Sequence, residues 1–228
     1  RLFELSLQGF FAQWEIVFIL SSLLSLILGA IAAMAQQRLN RLLAYSSIGH
    51  VGFMLIGFCC GTVEGIQALL IYIVIYMIMS CGIFALALAL YDKDAKFLQT
   101  LQEFRSLGKT NPILALTFTI ILFSMAGIPP LAGFCSKFYL FFAALSSSLY
   151  LLAFIGVITS VISCFYYIRF IKIMYFETQS PTNASFFQPI ALTNALVLAS
   201  VGAFLIFFFI YPSPLFLWTH KTAIALCF

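Results

Sequence analysis

Charged residues are scarce in this sequence. Only 8% of the 228 residues are Asp, Glu, Lys or Arg, whereas 64% are hydrophobic. Soluble domains carry about a quarter charged residues, which supply a polar surface. This chain has too few charges to face water, which excludes a soluble globular domain and predicts an integral membrane protein. Its eleven basic residues are also too few and scattered to track nucleic-acid phosphates, so no nucleic-acid partner is expected.

Metal-binding and signal-peptide patterns are also missing. None of the six cysteines forms a C-x-x-C pair, and no group of Cys and His has zinc or iron–sulfur spacing. Because the cysteines lie almost entirely in apolar runs, we predict buried free thiols and no metal site. No basic start with a small-residue cleavage site precedes the first apolar run. The chain begins at Arg1 rather than Met, which favours a processed chain or one part of a longer or split product.

Six apolar segments are long enough to cross a bilayer, which takes about 20 residues of helix. We call them helices A to F; they cover residues 15–35, 42–60, 66–91, 112–145, 149–175 and 189–211. The runs are too long and unbroken for the alternation of a β-strand. The sequence therefore predicts an all-α integral membrane protein that forms a single transmembrane domain over residues 1–228.

Most of the basic residues lie in connecting regions that six membrane spans would place on the same side of the membrane. Eight of the eleven lie in the A–B loop, in the C–D loop and at the end of helix E. They are Arg38, Arg41, Lys93, Lys96, Arg105, Lys109, Arg169 and Lys172. Loops rich in Lys and Arg stay on the cytoplasmic or matrix side. Both termini are therefore expected on the opposite side.

A polar stretch at residues 92–109 joins helices C and D. Its apolar residues recur at three- and four-residue steps; they are Phe97, Leu98, Leu101, Phe104 and Leu107. This spacing puts apolar side chains on one face of a helix. We predict an amphipathic helix that lies on the inner membrane surface.

Helix D is too long for a single straight span. Its 34 residues would reach about 50 Å, against a hydrocarbon core of about 30 Å. Gly127, Pro129, Pro130 and Gly133 lie midway, and proline lacks the amide donor that a helix needs. We predict a break near residues 127–133. Irregular backbone at membrane depth is tolerated only inside protein or along a wet cavity, which indicates a pathway.

Lys137 is the only charged residue in helix D. A charged side chain at the bilayer centre costs at least about 2.5–3.5 kcal/mol, so it normally faces a cavity or a partner. A buried lysine can also serve as a proton-exchanging group. The alternative is that Lys137 snorkels to the outer headgroups. We favour proton transfer, because apolar and small residues follow Lys137 before the next turn.

Helix B carries a second polar group around His50. Ser46 and His50 are four residues apart, so they share a helix face. Histidine titrates near neutral pH and can pass protons. A structural histidine bonded to a neighbouring helix is an equal alternative. The predicted lining of the pathway comprises Tyr45, Ser46, Ser47, Ser136, Thr159 and Tyr166, the last two from a polar stripe on helix E.

Two motifs resemble a known family. Residues 41–52 (RLLAYSSIGHVG) and 126–138 (AGIPPLAGFCSKF) are similar to signatures of the antiporter-like membrane subunits of respiratory complex I, NADH–ubiquinone oxidoreductase. Residues 164–169 and 211–215 add support. The likeness runs from about Trp14 to the end of the chain. It is greatest to the carboxy-terminal part of such a subunit.

The resemblance implies a fold and roles for two residues. Subunits of this family contain two inverted five-helix repeats, each with a broken helix. Helices A to E would be the second repeat, and helix F the last transmembrane helix. Lys137 would match the broken-helix lysine of the outer half-channel, and His50 a relay position on the central axis. The acidic and basic residues of the first repeat have no counterpart, which implies a fragment or a separate polypeptide that supplies that repeat.

The implied function is proton translocation coupled to quinone reduction in NADH:ubiquinone oxidoreductase. No redox centre or cofactor is expected in this chain; flavin, iron–sulfur clusters and ubiquinone would be in other subunits. The expected partners are other membrane subunits of complex I, a chain carrying the first repeat, and lipids. The expected location is the mitochondrial inner membrane, with termini on the intermembrane-space side. The alternative is a subunit of a secondary cation/proton antiporter, which would favour acidic residues within the spans.

Overall fold

A computed structural model describes residues 11–89, 100–177 and 192–227 of the chain. The helices are α1 (Phe11–Met34), α2 (Leu39–Cys59), α3 (Val63–Ala89), α4 (Leu107–Thr110), α5 (Pro112–Ala126), α6 (Ala132–Ser146), α7 (Tyr150–Phe176), α8 (Leu192–Ile210) and α9 (Ser213–Cys227). A 3₁₀ turn, Leu101–Phe104, precedes α4. The described ranges contain one isolated bridge, between Arg38 and Thr100, and no sheet. The predicted all-α class is therefore confirmed.

Five helices are long and apolar enough to cross a membrane, namely α1, α2, α3, α7 and α8. They correspond to the predicted helices A, B, C, E and F. Helix D is present as α5 and α6, two helices of 15 residues each. Each half is about 22 Å long, shorter than a hydrocarbon core of about 30 Å. The count of six spans therefore stays a prediction, because neither half is long enough to cross alone.

Several helix boundaries differ from those predicted. Helix α2 begins at Leu39 rather than at residue 42, since polar side chains are tolerated at a helix end. The end of helix C at residue 91 and the start of helix F at residue 189 lie outside the described residues. The apolar pattern did not predict α9, because Thr219, His220 and Lys221 interrupt its apolar run.

The amphipathic helix predicted over residues 92–109 is not continuous where it is described. Residues 92–99 lie outside the described ranges. The remainder forms the 3₁₀ turn and the short helix α4, and Ser106 between them has left-handed backbone with φ 61°. A left-handed residue ends a helix, which is why the segment is split. Leu101, Phe104 and Leu107 are nevertheless buried, as their spacing predicted.

Two apolar clusters hold the helices together. In the larger one, Phe170 of α7 meets Phe104 and Phe118 edge-on, at centroid separations of 5.4 and 5.1 Å. The smaller one joins α2, α3 and α6 around Phe53 and Tyr72. Many outward side chains of α1 and α7 are apolar and exposed, as expected where lipid replaces water. The cysteines were predicted to be buried; Cys59 and Cys60 are, whereas Cys81 is exposed on this apolar surface. The other three, Cys135, Cys164 and Cys227, are half-buried.

Three connecting segments meet at one end of the bundle. The amide of Leu101 donates to the carbonyl oxygen of Gln37 at 2.9 Å, and the amide of Ser106 donates to that of Glu177 at 3.2 Å. The loop after α1, the turn before α4 and the end of α7 therefore lie together. These are described segments of the three basic regions that were predicted to share one side; which side of the membrane they face remains a prediction.

Candidate functional site

The break between α5 and α6 begins at Gly127. This residue has a left-handed backbone, φ 85°, and its amide donates to the carbonyls of Phe123 and Ser124 at 3.0 and 3.1 Å. The amide of Ile128 also donates to the Phe123 carbonyl, at 3.0 Å. Such a glycine-based cap ends a helix while pairing its last carbonyls. A methyl group at Gly127 would lie only 2.9 Å from Cδ of Lys137, so any other residue there would also require the lysine side chain to shift.

Helix α6 starts alongside the end of α5. The exposed Pro129 and Pro130, joined by a cis peptide bond, make the turn between them. The amide of Gly133 donates to Oγ of Ser124 at 3.1 Å, which pairs an otherwise free amide at the start of α6. A Cβ atom on Gly133 would collide with the Ser124 carbonyl oxygen. The two half-helices therefore overlap side by side, and the predicted break is observed.

Lys137 is buried in this overlap, with 5% of its surface exposed. Its Nζ donates to the carbonyl oxygens of Met125 and Ala126, at 3.0 and 2.9 Å. These are the last two carbonyls of α5, which have no partner within the helix and carry the negative end of its dipole. The amides of Gly127 and Ile128 pair the two preceding carbonyls, those of Phe123 and Ser124. The last four carbonyls of α5 therefore all accept a hydrogen bond. The side chain does not snorkel to the surface.

The aromatic ring of Phe53 covers the other side of this ammonium. Nζ of Lys137 lies 5.1 Å from the centroid of that ring, close enough for a cation–π contact. Phe53 is buried on α2, and its ring centroid is 6.4 Å from that of His50 and 6.2 Å from that of Tyr72. An apolar ring therefore adjoins both the lysine and the histidine.

His50 is buried and contacts tyrosines from two other helices. Its Nδ1 lies 2.7 Å from Oη of Tyr72 on α3, and its Nε2 lies 3.4 Å from Oη of Tyr167 on α7. A neutral imidazole donates from one ring nitrogen and accepts at the other, so it can bond both phenols at once. The bonds to neighbouring helices match the structural alternative. They also form the kind of hydrogen-bonded series through which a proton can pass.

A small cavity adjoins His50 between α1, α2 and α7. Its volume is about 10 Å³, counted as the space open to the centre of a water-sized sphere, which suits a single water. Its polar lining consists of Ser46, His50, Thr159, Ser163 and Tyr166. The hydroxyl of Ser46 donates to a backbone carbonyl of its own helix, as do those of Thr159 and Ser163, which leaves their oxygens as acceptors facing the cavity.

The structure brings together some of the predicted lining residues and not others. Ser46, Thr159 and Tyr166 line the cavity with His50. Tyr45 instead packs on the larger apolar cluster, and Ser47 is half-buried with its hydroxyl bonded to Ala44 O at 2.7 Å. The remaining one, Ser136, is buried beside Lys137 on α6, and its hydroxyl bonds Gly133 O at 2.9 Å. These three are not part of the cavity wall.

Phe53 and Tyr72 were not identified from the sequence. The signal for Phe53 is its position three residues after His50, which places both on one face of α2. Tyr72 gives no such signal, because a tyrosine within the long apolar run of α3 is typical of ordinary packing. Its contact with His50 depends on how α2 and α3 pack.

An apolar helix broken midway, with a lysine buried against the break, has the architecture that recurs in the transporter class of membrane proteins. The chain belongs to the family described as NADH:quinone oxidoreductase/Mrp antiporter, TM, whose family model matches residues 1–163. The resemblance inferred from the two motifs is therefore confirmed.

Similar proteins include two curated relatives and one solved structure. NADH-ubiquinone oxidoreductase chain 2 of Marchantia polymorpha is 60% identical over 94% of this chain and 43% of its own length. NADH-quinone oxidoreductase subunit N of Parvibaculum lavamentivorans is 41% identical over 94% of this chain and 44% of its own. A chain of respiratory complex I from Thermus thermophilus with bound aureothin matches 88% of this chain and 44% of its own, with 27% identity and a TM-score of 0.74. The present chain thus spans less than half the length of each.

Proposed function

We propose that this chain is a proton-translocating part, equivalent to the carboxy-terminal half, of an antiporter-like membrane subunit of NADH:ubiquinone oxidoreductase. The observation that carries the proposal is the buried Lys137, whose ammonium is held by the end of a broken helix. Family membership and the names of the relatives support this assignment.

The local geometry suits a lysine that gains and loses a proton. As an ammonium, Lys137 donates to two carbonyl oxygens at the negative end of α5 and faces the ring of Phe53. Loss of the proton removes the charge, which weakens the hydrogen bonds to the carbonyl oxygens and abolishes the cation–π contact with the ring. The described carboxylates, Glu15, Glu64, Glu103 and Glu177, lie near helix ends or in the turn before α4. Charge changes elsewhere in a complex would therefore act on a lysine that none of these four carboxylates neutralises.

His50 supplies the second half of the proposed route. A proton would enter the series formed by Tyr72, His50 and Tyr167, with water in the adjoining cavity as an exchange partner. It would then pass to Lys137 and be released outward. Since the ring of Phe53 adjoins both groups, transfer between them requires a water chain around that ring or a movement of the lysine side chain.

The chain would contribute to an oxidoreductase without carrying its redox chemistry. We propose that flavin, iron–sulfur clusters and ubiquinone are bound by other subunits, and that this chain holds no cofactor. Its partners would be other membrane subunits of complex I, lipids and a polypeptide that supplies the first repeat. The plant relatives favour the mitochondrial inner membrane, and the basic loops favour termini on the intermembrane-space side.

Co-purification tests the assignment. Native membranes are solubilised in mild detergent, the chain is isolated, and every co-migrating protein is identified by mass spectrometry. Subunits of NADH:ubiquinone oxidoreductase, with a polypeptide carrying the first repeat, are the expected result. The family description also covers Mrp antiporters. Co-migration with cation-antiporter subunits alone, and cation transport without NADH oxidation, would replace the proposal with the antiporter function.

A further inference from the structure

A polar cleft opens where the three connecting segments meet. Its volume is about 230 Å³, and it lies between the loop after α1, the turn before α4 and the end of α7. The polar side chains that line it are Gln37, Gln102, Arg105, Arg169, Lys172 and Glu177. The route proposed for protons uses none of them.

The walls of this cleft are held by backbone contacts. The amide of Leu101 bonds the Gln37 carbonyl, and the amide of Ser106 bonds the Glu177 carbonyl. Leu101 and Ile173 are buried and give the cleft part of an apolar floor. Its cationic side chains therefore project from a fixed frame formed by separate segments of the chain.

The charges that line the cleft are unbalanced. Three cations face one carboxylate, and Nε of Arg105 bonds Oε2 of that carboxylate, on Glu177, at 2.8 Å. Among the described residues, the guanidinium of Arg169 bonds the Met34 carbonyl at 3.4 Å, and Lys172 is exposed. No carboxylate of the described ranges forms an ion pair with either side chain, so both can attract an anion, and guanidinium is well suited to phosphate oxygens.

An apolar groove runs along the same two helices. Its volume is about 220 Å³, and its lining from α1 and α7 is isoleucine-rich, with Ile27, Ile31, Ile155, Ile158 and Ile162. Residues 155, 162 and 169 are seven apart, so they follow one face of α7. Ile162 lies about 10 Å along the axis from Arg169. The hydrogen bond from Arg169 to the Met34 carbonyl joins α7 to α1 at the end of the groove that is nearest the cleft.

We propose that the cleft and the groove together bind one anionic phospholipid. Its phosphate lies between Arg169 and Lys172, and an acyl chain fills the groove between α1 and α7. Basic pockets between membrane helices bind such headgroups, and the separation of charge from apolar surface matches the shape of a lipid. Ala30 and Thr159 line both the groove and the cavity beside His50. The acyl chain therefore also covers that cavity from the lipid side.

Photolabelling tests the site in the intact assembly. The delipidated complex that contains this chain is mixed with vesicles of phosphatidylglycerol or phosphatidylcholine whose acyl chains are photoreactive, and labelled residues are mapped by mass spectrometry. We expect phosphatidylglycerol to label the groove at a concentration about thirtyfold below that of phosphatidylcholine, as two cations near an anionic headgroup predict. Equal labelling by the two lipids, or labelling confined to other surfaces, would overturn the proposal.

Variants separate headgroup binding from non-specific attraction. The pair Arg169→Gln with Lys172→Gln is expected to abolish the preference for phosphatidylglycerol. The control pair Arg41→Gln with Lys109→Gln removes two exposed cations that do not line the cleft. This pair is expected to retain the preference for phosphatidylglycerol. Equal loss in both pairs would indicate general surface charge and overturn the site.

Two further measurements address other occupants. Ile158→Trp fills the groove and is expected to reduce labelling there while leaving all charges unchanged; undiminished labelling would contradict the position of the acyl chain. Millimolar inorganic phosphate should not displace the lipid. If inorganic phosphate abolished the labelling, the cleft would be a site for free phosphate and the proposal would be overturned. Crosslinks from position 158 to another polypeptide, with no lipid labelling, would assign the groove to a protein partner.

Discussion

The ammonium of Lys137 and the ring of Phe53 face each other at 5.1 Å, across the interface between α6 and α2. The ring also adjoins His50 at a centroid separation of 6.4 Å. It contributes a favourable contact to the charged lysine and, at the same time, places an apolar group beside the two proposed proton carriers. The favourable contact depends on the aromatic face, whereas the second effect needs only an apolar side chain, so an aliphatic substitution tests the contact alone.

Phe53→Leu keeps apolar volume but removes the aromatic face. The lost cation–π contact is worth roughly 0.5–2 kcal/mol, so the variant should hold the lysine charge less firmly. We expect fewer protons translocated per NADH oxidised, measured with a pH-sensitive dye in sealed membrane vesicles. Phe142→Leu, which changes an exposed phenylalanine on α6, is the control. If both variants translocated the same number of protons per NADH oxidised, the aromatic ring of Phe53 would have no role in translocation.

Lys137→Met tests the proposed proton carrier. The variant keeps an unbranched side chain one atom shorter, and it leaves the carbonyls of Met125 and Ala126 without their donor, at a cost of about 1–3 kcal/mol for each unpaired buried group. We expect reduced abundance of the assembled complex and loss of proton translocation by what remains. Lys109→Met, at an exposed position in α4, should behave as the parent does. Normal translocation per assembled complex in Lys137→Met would rule out the proposed role.

Gly127→Ala probes the break itself. The left-handed backbone costs a residue with a Cβ atom about 1–2 kcal/mol, and the new methyl group would press against Cδ of Lys137. A lower thermal unfolding midpoint in detergent is expected. Gly202→Ala provides the opposite case, because that glycine lies inside α8 with no atom near its added methyl group. It should be neutral or stabilising by about 0.5–1 kcal/mol. Similar midpoints for the two variants would show that the cap is dispensable.

The two tyrosines bonded to His50 should differ in importance. Tyr72→Phe removes a 2.7 Å contact and Tyr167→Phe a 3.4 Å contact, while both keep their ring packing. A hydrogen bond of good geometry contributes about 0.5–1.5 kcal/mol, and longer ones contribute less. Proton translocation should therefore fall more in Tyr72→Phe. Thermal stability does not rank the two variants, because the hydroxyl of Tyr167 also bonds Ser46 and Tyr166. A larger loss of translocation in Tyr167→Phe would mean that protons reach His50 mainly through Tyr167.

Much of the fold could be predicted because it follows from composition along the chain. Scarce charge and long apolar runs required membrane helices, and paired prolines in an overlong run required a break. Lys137 and His50 were identified because charge and titratable groups are expensive in such helices. By contrast, α9 carries too many polar residues to stand out by hydropathy, although it packs on α3, where His220 bonds Gln67 at 3.1 Å.

The contacts of the site could not be predicted in the same way. The partners of Lys137 are backbone carbonyls, which every residue has, so no side-chain pattern marks them. Ser47 was assigned to the pathway as a polar residue within a span, yet it does not line the cavity beside His50. Ser46 does line it, although the hydroxyls of both serines bond carbonyls of their own helix. Only the packing of α2 against α3 and α7 decides which hydroxyls meet His50.

The carbonyls of Met125 and Ala126 make the backbone of α5 a reporter of charge. Each accepts a hydrogen bond from the ammonium of a lysine that follows it by 12 and 11 residues. A carbonyl that loses a charged donor vibrates at a higher frequency. An isotope-edited infrared band from either position would therefore follow the protonation of Lys137 during turnover, with every side chain left intact.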